Sequence, residues 1–235
     1  MLAMPLMADV SANYRTIVAG IHRAAEKAGR DARQIKLLAA AKSQSVEAIS
    51  AAIGAGVTLI GENYVQEANA KRQRIRVPVE WHMIGHLQRN KARAAVELFD
   101  VIESLDSAAL ARELDKEGAR RGKPVRTLIE VNLGGEESKG GISKERVRAL
   151  LEEVGGLPHI TVEGLMTVPP FRKNPEDVRP YFRELAALLA KLGELRLPNV
   201  ALRELSMGMT HDYQVAIEEG ATVVRIGTAL FGPRI

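Results

Sequence analysis

The stretch that decides the fold reads Leu37-Leu38-Ala39-Ala40-Ala41-Lys42-Ser43-Gln44-Ser45. A short apolar run that ends at polar turn residues predicts a buried strand over Leu37–Lys42, and a helical pattern follows it. Because side chains alternate along a strand, Leu38, Ala40 and Lys42 share one face. The lysine therefore lies at the carboxyl end of a buried strand, where α/β folds place their chemistry.

Lys42 has two interpretations at this position. Burial disfavours the charged ammonium, so the amine could be neutral enough to condense with a carbonyl group. Alternatively, the side chain extends out of the strand end into solvent, as most charged side chains do. The first strand alone leaves both interpretations open.

The rest of the chain repeats the alternation of short apolar runs and helical patterns. The predicted strands are Leu37–Lys42, Thr58–Glu62, Val79–Ile84, Val101–Leu105, Arg126–Leu133, Ile160–Val168, Leu202–Met207 and Thr222–Gly227. The predicted helices between them are Val46–Ile53, Tyr64–Arg74, Leu87–Phe99, Ala108–Arg121, Lys144–Val154, Pro180–Leu192 and Asp212–Glu219. This order predicts an α/β fold, a (β/α)₈ TIM barrel. An open doubly wound sheet is the alternative, although no Gly-rich dinucleotide loop follows the first strand.

The two ends of the chain complement each other in this prediction. Apolar residues at helical spacing predict an extra amphipathic helix before the first strand. The chain stops at Ile235, before a full eighth helix could form, and we expect the N-terminal helix to cover that gap. The expected organisation is one domain over 1–235, with a disordered start (1–9), an N-terminal helix (10–29) and the barrel (37–232).

Composition excludes several classes of protein. The 235-residue chain has no cysteine, which excludes disulfides and thiolate metal sites, and its histidines lack metal-ligand spacing. No apolar run approaches the roughly 20 residues of a membrane helix. The first residues lack the basic start and the long apolar core of a secretion signal. We therefore expect a cytoplasmic protein with no metal and no membrane partner.

The positive charge of the chain does not by itself indicate nucleic-acid binding. The net charge is +4, and basic residues cluster in places such as Lys71-Arg72-Gln73-Arg74-Ile75-Arg76. Only 4% of residues are aromatic, which leaves few stacking platforms for single strands. We interpret these clusters as solvated helix faces and expect no nucleic-acid partner.

The last predicted strand contains an arginine on its inner face. In Thr222-Val223-Val224-Arg225-Ile226-Gly227-Thr228 the helix-facing side must be apolar, so Arg225 points inward. A guanidinium there cannot lose its proton and needs an acceptor. The acceptor is either a ligand or a carboxylate of the protein such as Glu130 or Glu204.

Glycine and hydroxyl residues end the last two strands. Barrels commonly bind phosphate at these loops, here Ser206-Met207-Gly208 and Gly227-Thr228, although the glycines could merely turn the chain. Closure of a barrel makes the first and last strands neighbours, which brings Lys42 and Arg225 to the same mouth. An amine, a donor for a ring nitrogen and an anion cradle together describe a site for pyridoxal phosphate.

A series of short motifs extends this interpretation over most of the chain, because they occur in the same order as in a known family. The matching segments are Leu38–Lys42, Gly61–Glu67, Trp81–Gln88, Asn132–Gly141, Gly164–Met166, Ser206–Thr210 and Val224–Gly232. With these segments the sequence closely resembles the pyridoxal phosphate homeostasis protein family, also called the proline synthetase co-transcribed homologues. Departures are mild: alanines stand at 40 and 41 where relatives often have Val-Ser, and Thr210 replaces a frequent serine.

The resemblance implies a monomeric barrel of fold type III, related to the N-terminal domain of alanine racemase, and it implies roles for individual residues. Lys42 matches the lysine that forms the Schiff base, and Arg225 matches the arginine that faces the pyridine nitrogen. Phosphate contacts are implied for Ser206, Gly227 and Thr228, a position beside the ring for Met166, and a pocket-lining position for Asn63. Two of these residues have a structural alternative, since Asn63 could cap the next helix and Met166 could belong to the core.

The resemblance also implies a function in vitamin B6 homeostasis and cofactor supply. Because arginine only donates, the ring nitrogen should stay unprotonated and be a poor electron sink, which argues against transamination. Alanine racemase has a similar arginine, but it takes its second acid/base from the C-terminal domain of a partner, and the sequence shows no such domain. We therefore expect a non-catalytic carrier of pyridoxal 5'-phosphate, with apoenzymes as recipients. An amino-acid racemase or another weakly active pyridoxal enzyme is the alternative; Tyr64 and Tyr213 are the nearest acid/base candidates, and we expect both on helix faces.

Overall fold

Eight parallel strands close into a barrel in the order in which they occur along the chain. The computed structural model describes residues 9–136 and 140–233. The strands are β1 (Lys36–Ala40), β2 (Leu59–Glu62), β3 (Glu80–Met83), β4 (Val101–Leu105), β5 (Val125–Glu130), β6 (Ile160–Met166), β7 (Val200–Met209) and β8 (Val223–Ile226). The predicted TIM barrel is confirmed, and the open sheet is excluded because β1 pairs with both β2 and β8.

Helices surround the barrel and alternate with the strands. In the described part of the chain they are α1 (Val10–Lys27), α2 (Val46–Ala55), α3 (Val65–Arg72), α4 (Ala92–Leu98), α5 (Ala108–Arg121), α6 (Lys144–Val154), α7 (Arg179–Gly193), α8 (Tyr213–Glu218) and α9 (Thr228–Phe231). None of these helices has the length and apolar character needed to cross a membrane. Residues 1–8, for which the sequence predicts disorder, lie outside the described residues, and Asp9 caps α1 by accepting from the N–H of Ala12.

The alternation of side chains along each strand divides the apolar residues between two sides of the sheet. On β8, Val224 and Ile226 pack in the large cluster shared with the helices. Val223 instead packs inside the barrel with Leu38 and Leu59. The predicted faces of β8 are therefore correct, and they place Arg225 in the interior, where it is 4% exposed.

The N-terminal helix closes the ring of helices. The last helix, α9, has only four residues, and α1 packs against α2, α8 and α9 at this place. The side-chain amide of Asn13 donates to the carbonyl of Leu230 at 3.0 Å. The N-terminal helix therefore covers the place after β8 where α9 is short, as the sequence analysis expects.

The strand β1 ends two residues earlier than the sequence predicts. The N–H of Ala41 still donates to the carbonyl of Gly61 at 2.8 Å. The carbonyl of Ala41 then accepts from the N–H of Gln44 at 3.0 Å, which closes a turn. Lys42 therefore lies in this turn, at the carboxyl end of β1, rather than in the strand.

Gly164 allows β6 and β7 to approach each other closely. A Cβ atom at this position would lie 1.9 Å from the carbonyl oxygen of Glu204 on β7. The pairing register of the two strands shifts between Val162 and Gly164. Only glycine fits this approach, because any side chain would have to push the backbone of β7 away.

A buried ion pair crosses the barrel interior between β3 and β4. The Nδ1 atom of His82 lies 2.7 Å from Oε1 of Glu103, and its Nε2 lies 3.7 Å from Oε1 of Glu80. Burial alone would lower the pKa of His82, but the two carboxylates outweigh burial and raise the pKa to about 9. His82 is thus a core histidine that carries a proton at neutral pH.

Replacing Gly164 by alanine should destabilise the barrel. We expect the free energy of unfolding of Gly164→Ala to fall by about 3 kcal/mol, because the new methyl group forces β6 and β7 apart. The matched control is Gly54→Ala inside α2, where nothing lies within 4 Å of the added Cβ and alanine should stabilise the helix by about 1 kcal/mol. Urea unfolding of both variants checks this; equal effects would show that the β6–β7 approach does not constrain the fold.

The raised pKa of His82 should make stability depend on pH. The ion pair of His82 with Glu103 stabilises the folded protein fully when the pH is below about 6.5, the pKa of His82 in the unfolded chain. This contribution disappears as the pH rises through about 9, the pKa of His82 in the folded protein. We expect the unfolding free energy to lose on the order of 3 kcal/mol between pH 6 and pH 9.5, and His82→Gln to lack this loss. His22→Gln, at an exposed position of α1, is the control that should keep the parent profile; a pH-dependent loss that persists in His82→Gln would contradict the assignment.

Candidate functional site

Pairing of β1 with β8 brings the two predicted key residues to one end of the barrel. Leu38 is in register with Arg225, and Ala39 with Ile226. One residue further along, a Cβ atom on Gly227 would lie 3.6 Å from the Cβ of Ala40. Lys42 follows in the turn after β1 and is partly exposed. The amine-bearing turn and the end of β8 are therefore neighbours at the mouth.

Arg225 is held by three hydrogen bonds inside the barrel. Its Nη1 donates to the carbonyl oxygen and to Oγ of Ser206, both at 2.7 Å, and its Nη2 donates to the carbonyl of Thr167 at 2.7 Å. A guanidinium has five N–H groups, so two of them have no partner among the described residues. Burial lowers the pKa of Arg225, which nearby carboxylates counteract, and the group stays protonated.

The carboxylate nearest to Arg225 is Glu103, and not Glu130 or Glu204 as the sequence suggests. Oε2 of Glu103 lies 3.9 Å from Nη1 of Arg225 and accepts from Oγ of Ser206 at 2.5 Å. Glu204 instead pairs with Lys36 at the opposite end of the barrel. The sequence could not predict this partner because β4 and β8 lie across the barrel rather than side by side.

The hydroxyl of Ser206 faces this interior network. It donates to Glu103, accepts from Arg225, and is fully buried. A hydroxyl has one hydrogen to donate, so in this arrangement it has none for another acceptor. A direct phosphate contact of Ser206 stays a prediction, and its contact with Arg225 is the role that the geometry shows.

The loops after β7 and β8 join at the start of α9. The hydroxyl of Thr210 accepts from the N–H of Ala229 at 3.2 Å. Gly227 and Thr228 begin α9, whose first N–H groups have no intrahelical partner. These N–H groups and the hydroxyl of Thr228 are the donors that an anion at this end of the barrel would meet.

Asn63 and Met166 have different surroundings. Oδ1 of Asn63 is buried without a hydrogen-bond partner among the described residues, and no side chain caps α3, so the capping alternative is wrong. Met166 is fully buried and packs with Val101 and Leu128 in the barrel interior. Asn63 thus has an acceptor available for a ligand. Met166 belongs to the apolar interior of the barrel, and its position beside a cofactor ring stays a prediction.

Glu130 lies in the barrel interior near Arg225. The sequence indicates it only as one of two carboxylates that could pair with Arg225. Its carboxyl group is buried at the end of β5, and a Cβ on Gly140 would lie 3.1 Å from Oε2. Burial raises the pKa of Glu130 to about 7, and the charge of Arg225 only partly offsets this rise. The signal available in the sequence is a carboxylate at the carboxyl end of a buried strand, on the same face as Leu128.

The described residues contain no group of three or more histidine, aspartate or glutamate side chains that could hold a metal ion. The groups that the structure places at or near this mouth are an amine, a guanidinium, carboxyl groups and backbone donors.

Comparison with known proteins gives consistent matches over nearly the whole chain. The family described as alanine racemase, N-terminal domain, matches residues 14–234. A pyridoxal phosphate homeostasis protein of Aquifex aeolicus is 48% identical over 215 residues, which cover 91% of this chain and 93% of the relative.

Solved structures show the same architecture. The structure of PipY from Synechococcus elongatus with pyridoxal phosphate bound has a TM-score of 0.80 at 36% identity and covers 91% of this chain and 100% of PipY. An alanine racemase of Clostridium difficile, at 14% identity and a TM-score of 0.74, shares the fold; the match covers 100% of this chain and 60% of the racemase. The chain belongs to the alanine racemase N-terminal domain family and, within it, to the pyridoxal phosphate homeostasis proteins.

Proposed function

We propose that this protein binds pyridoxal 5'-phosphate as a Schiff base on Lys42 and serves as a carrier in intracellular vitamin B6 homeostasis. The observation that carries the proposal is the closure of β1 against β8, which brings the Lys42 turn, the buried Arg225 and the start of α9 to one mouth. The relative from Synechococcus elongatus, solved with pyridoxal phosphate bound, supports the choice of ligand.

The residues present suit this cofactor. Arg225 has two N–H groups without a partner among the described residues, and they can donate to a pyridine nitrogen. The buried Oδ1 of Asn63 can accept from a hydroxyl group. Gly227 and Thr228 offer donors for the phosphate, while Ser206 contributes by holding Arg225. Met166 fills the apolar interior of the barrel.

The cofactor supplies an aldehyde that reacts reversibly with an amine. Nζ of Lys42 forms a C=N bond with the aldehyde carbon, and the carbonyl oxygen leaves as water, so nothing is oxidised or reduced. The same bond is broken by water or by another amine, which suits a protein that must release its ligand.

The surroundings of Arg225 disfavour reactions that need a strong electron sink, such as transamination, and the positions of two tyrosines bear on racemisation. A permanently protonated arginine keeps the ring nitrogen unprotonated, and such a ring withdraws electrons poorly. The hydroxyl of Tyr213 lies over Gly20 of α1, and Tyr64 is 58% exposed, so neither tyrosine occupies a buried acid/base position. We propose a non-catalytic, monomeric, cytoplasmic carrier of one barrel domain, with apoenzymes as recipients.

The lysine assignment is tested by spectroscopy and reduction. We expect the freshly purified protein to absorb at about 420 nm and to become irreversibly labelled on Lys42 after borohydride. Lys42→Ala should lose this band and the label because no amine remains at the turn. Lys116→Ala, at an exposed position of α5, is the control that should keep both. Peptide mapping that finds the label on another lysine would overturn the assignment.

The non-catalytic role is tested on the same proteins with single-enantiomer amino acids. Turnover by the parent protein should not exceed that of Lys42→Ala. A parent rate clearly above the Lys42→Ala rate would establish a racemase or a related pyridoxal enzyme instead.

Affinities for pyridoxal and for pyridoxal phosphate should distinguish contacts to the ring from contacts to the phosphate. We expect Arg225→Gln to weaken pyridoxal and pyridoxal phosphate to the same extent, about tenfold or more, because it removes a charge-assisted hydrogen bond to the ring. Thr228→Ala should weaken only the phosphorylated form, about tenfold. Calorimetric titration with both ligands checks this pair; a loss in Arg225→Gln that is confined to pyridoxal phosphate would contradict the ring contact.

A further inference from the structure

The turn that carries Lys42 has an unfavourable backbone conformation. Ala41, Lys42, Ser43 and Gln44 form the turn closed by the hydrogen bond from Gln44 to Ala41. Ser43, its third residue, has a φ of 61°, in the left-handed region that normally requires glycine at this position. A serine there needs support from its surroundings to keep this conformation populated.

Both peptide groups that flank Lys42 are held by side chains of α3. The carbonyl of Ala41 accepts from Nζ of Lys71 at 2.8 Å. The N–H of Ser43 donates to Oε2 of Glu67 at 3.0 Å. Because these two groups lie on either side of the Lys42 Cα, holding both restricts the direction in which its side chain leaves the backbone.

Lys71 and Glu67 are joined to each other and to β2. Nζ of Lys71 lies 2.7 Å from Oε1 of Glu62 and 3.2 Å from Oε2 of Glu67. Lys71 is 8% exposed and Glu62 is fully buried, so this is a buried cluster and not the solvated helix face that the sequence suggests. Three hydrogen bonds satisfy the ammonium of Lys71, one of them to the turn.

We propose that Glu67 and Lys71 are positioning residues for Lys42, and that they act by holding the turn Ala41–Gln44 in the conformation that presents the amine to the aldehyde of pyridoxal phosphate. Glu62 anchors Lys71 to the barrel and so transmits the position of β2 to the turn. The inference rests on the proposed function, because it assigns the support of the amine that forms the Schiff base.

Glu67→Ala is the informative variant. Glu67 is partly exposed, so its removal leaves no buried cavity, whereas replacing Lys71 would leave the buried Glu62 unpaired and endanger folding. At saturating pyridoxal phosphate we expect the band of the bound cofactor to appear about tenfold more slowly in Glu67→Ala, as the left-handed conformation of Ser43 loses its support. Glu47→Ala is the matched control, since Glu47 also lies in the first turn of its helix and pairs with Arg74.

Substituting glycine for Ser43 should rescue the variant. Glycine adopts a positive φ without support, so Glu67→Ala/Ser43→Gly should form the band at about the parent rate. A role of Glu67 in overall stability alone would lower the melting temperature of both variants without this recovery of rate. A parent rate in Glu67→Ala, or a slow rate that Ser43→Gly leaves uncorrected, would overturn the proposal.

A second measurement distinguishes an effect of Glu67 on the Lys42 turn from an effect on the binding pocket. In the Lys42→Ala background, Glu67→Ala should leave the noncovalent affinity for pyridoxal phosphate unchanged, since its effect passes through the lysine. A lowered affinity there would show that Glu67 shapes the pocket itself and would also overturn the proposal. Labelling of Lys42 by borohydride in the parent protein is measured first. If Lys42 is not labelled, the proposed function is wrong. If Lys42 is labelled and the Glu67 variants form the band at the parent rate, only the positioning role is wrong.

Discussion

A cation that cannot lose its proton lies inside the barrel, and much of the interior is organised around it. Arg225 is neutralised by Glu103, which in turn pairs with a protonated His82. The alternation of charge continues through Glu80 and Arg126 toward the other end of the barrel. In a closed barrel filled mainly by apolar side chains, such an alternating series lets each buried charge face the opposite sign. The guanidinium is thereby fixed in place before any ligand arrives.

The mouth of the barrel depends on two separate supports. One holds Arg225 from within, through Ser206 and the carbonyl of Thr167. The other holds the backbone around Lys42 from outside the sheet, through side chains of α3. In the proposed function, the first support fixes the donor for the cofactor ring and the second fixes the amine that would form the reversible bond.

Local patterns in the sequence predict the order of the elements and the faces of the strands. Buried apolar residues recur about every two residues in strands and every 3.6 residues in helices, and both spacings are visible in the sequence. They also place Arg225 inside the barrel and Lys42 at its mouth. They miss the nearest carboxylate of Arg225, since Glu103 approaches it from across the barrel and this distance depends on the shear of the whole sheet. They misjudge Lys71 as well: it begins a basic cluster in sequence, yet its side chain is buried between α3 and β2.

The seam between β1 and β8 joins the beginning of the described chain to its end, and α1 packs over the same seam. Contacts so distant in sequence form late, so a growing polypeptide keeps one edge of β1 unpaired until β8 has left the ribosome. The amine turn follows one of these strands and the guanidinium lies on the other. A chain from which β8 has not yet emerged thus lacks Arg225 and one side of the mouth, so the neighbours of the Lys42 turn are assembled only when β8 pairs with β1.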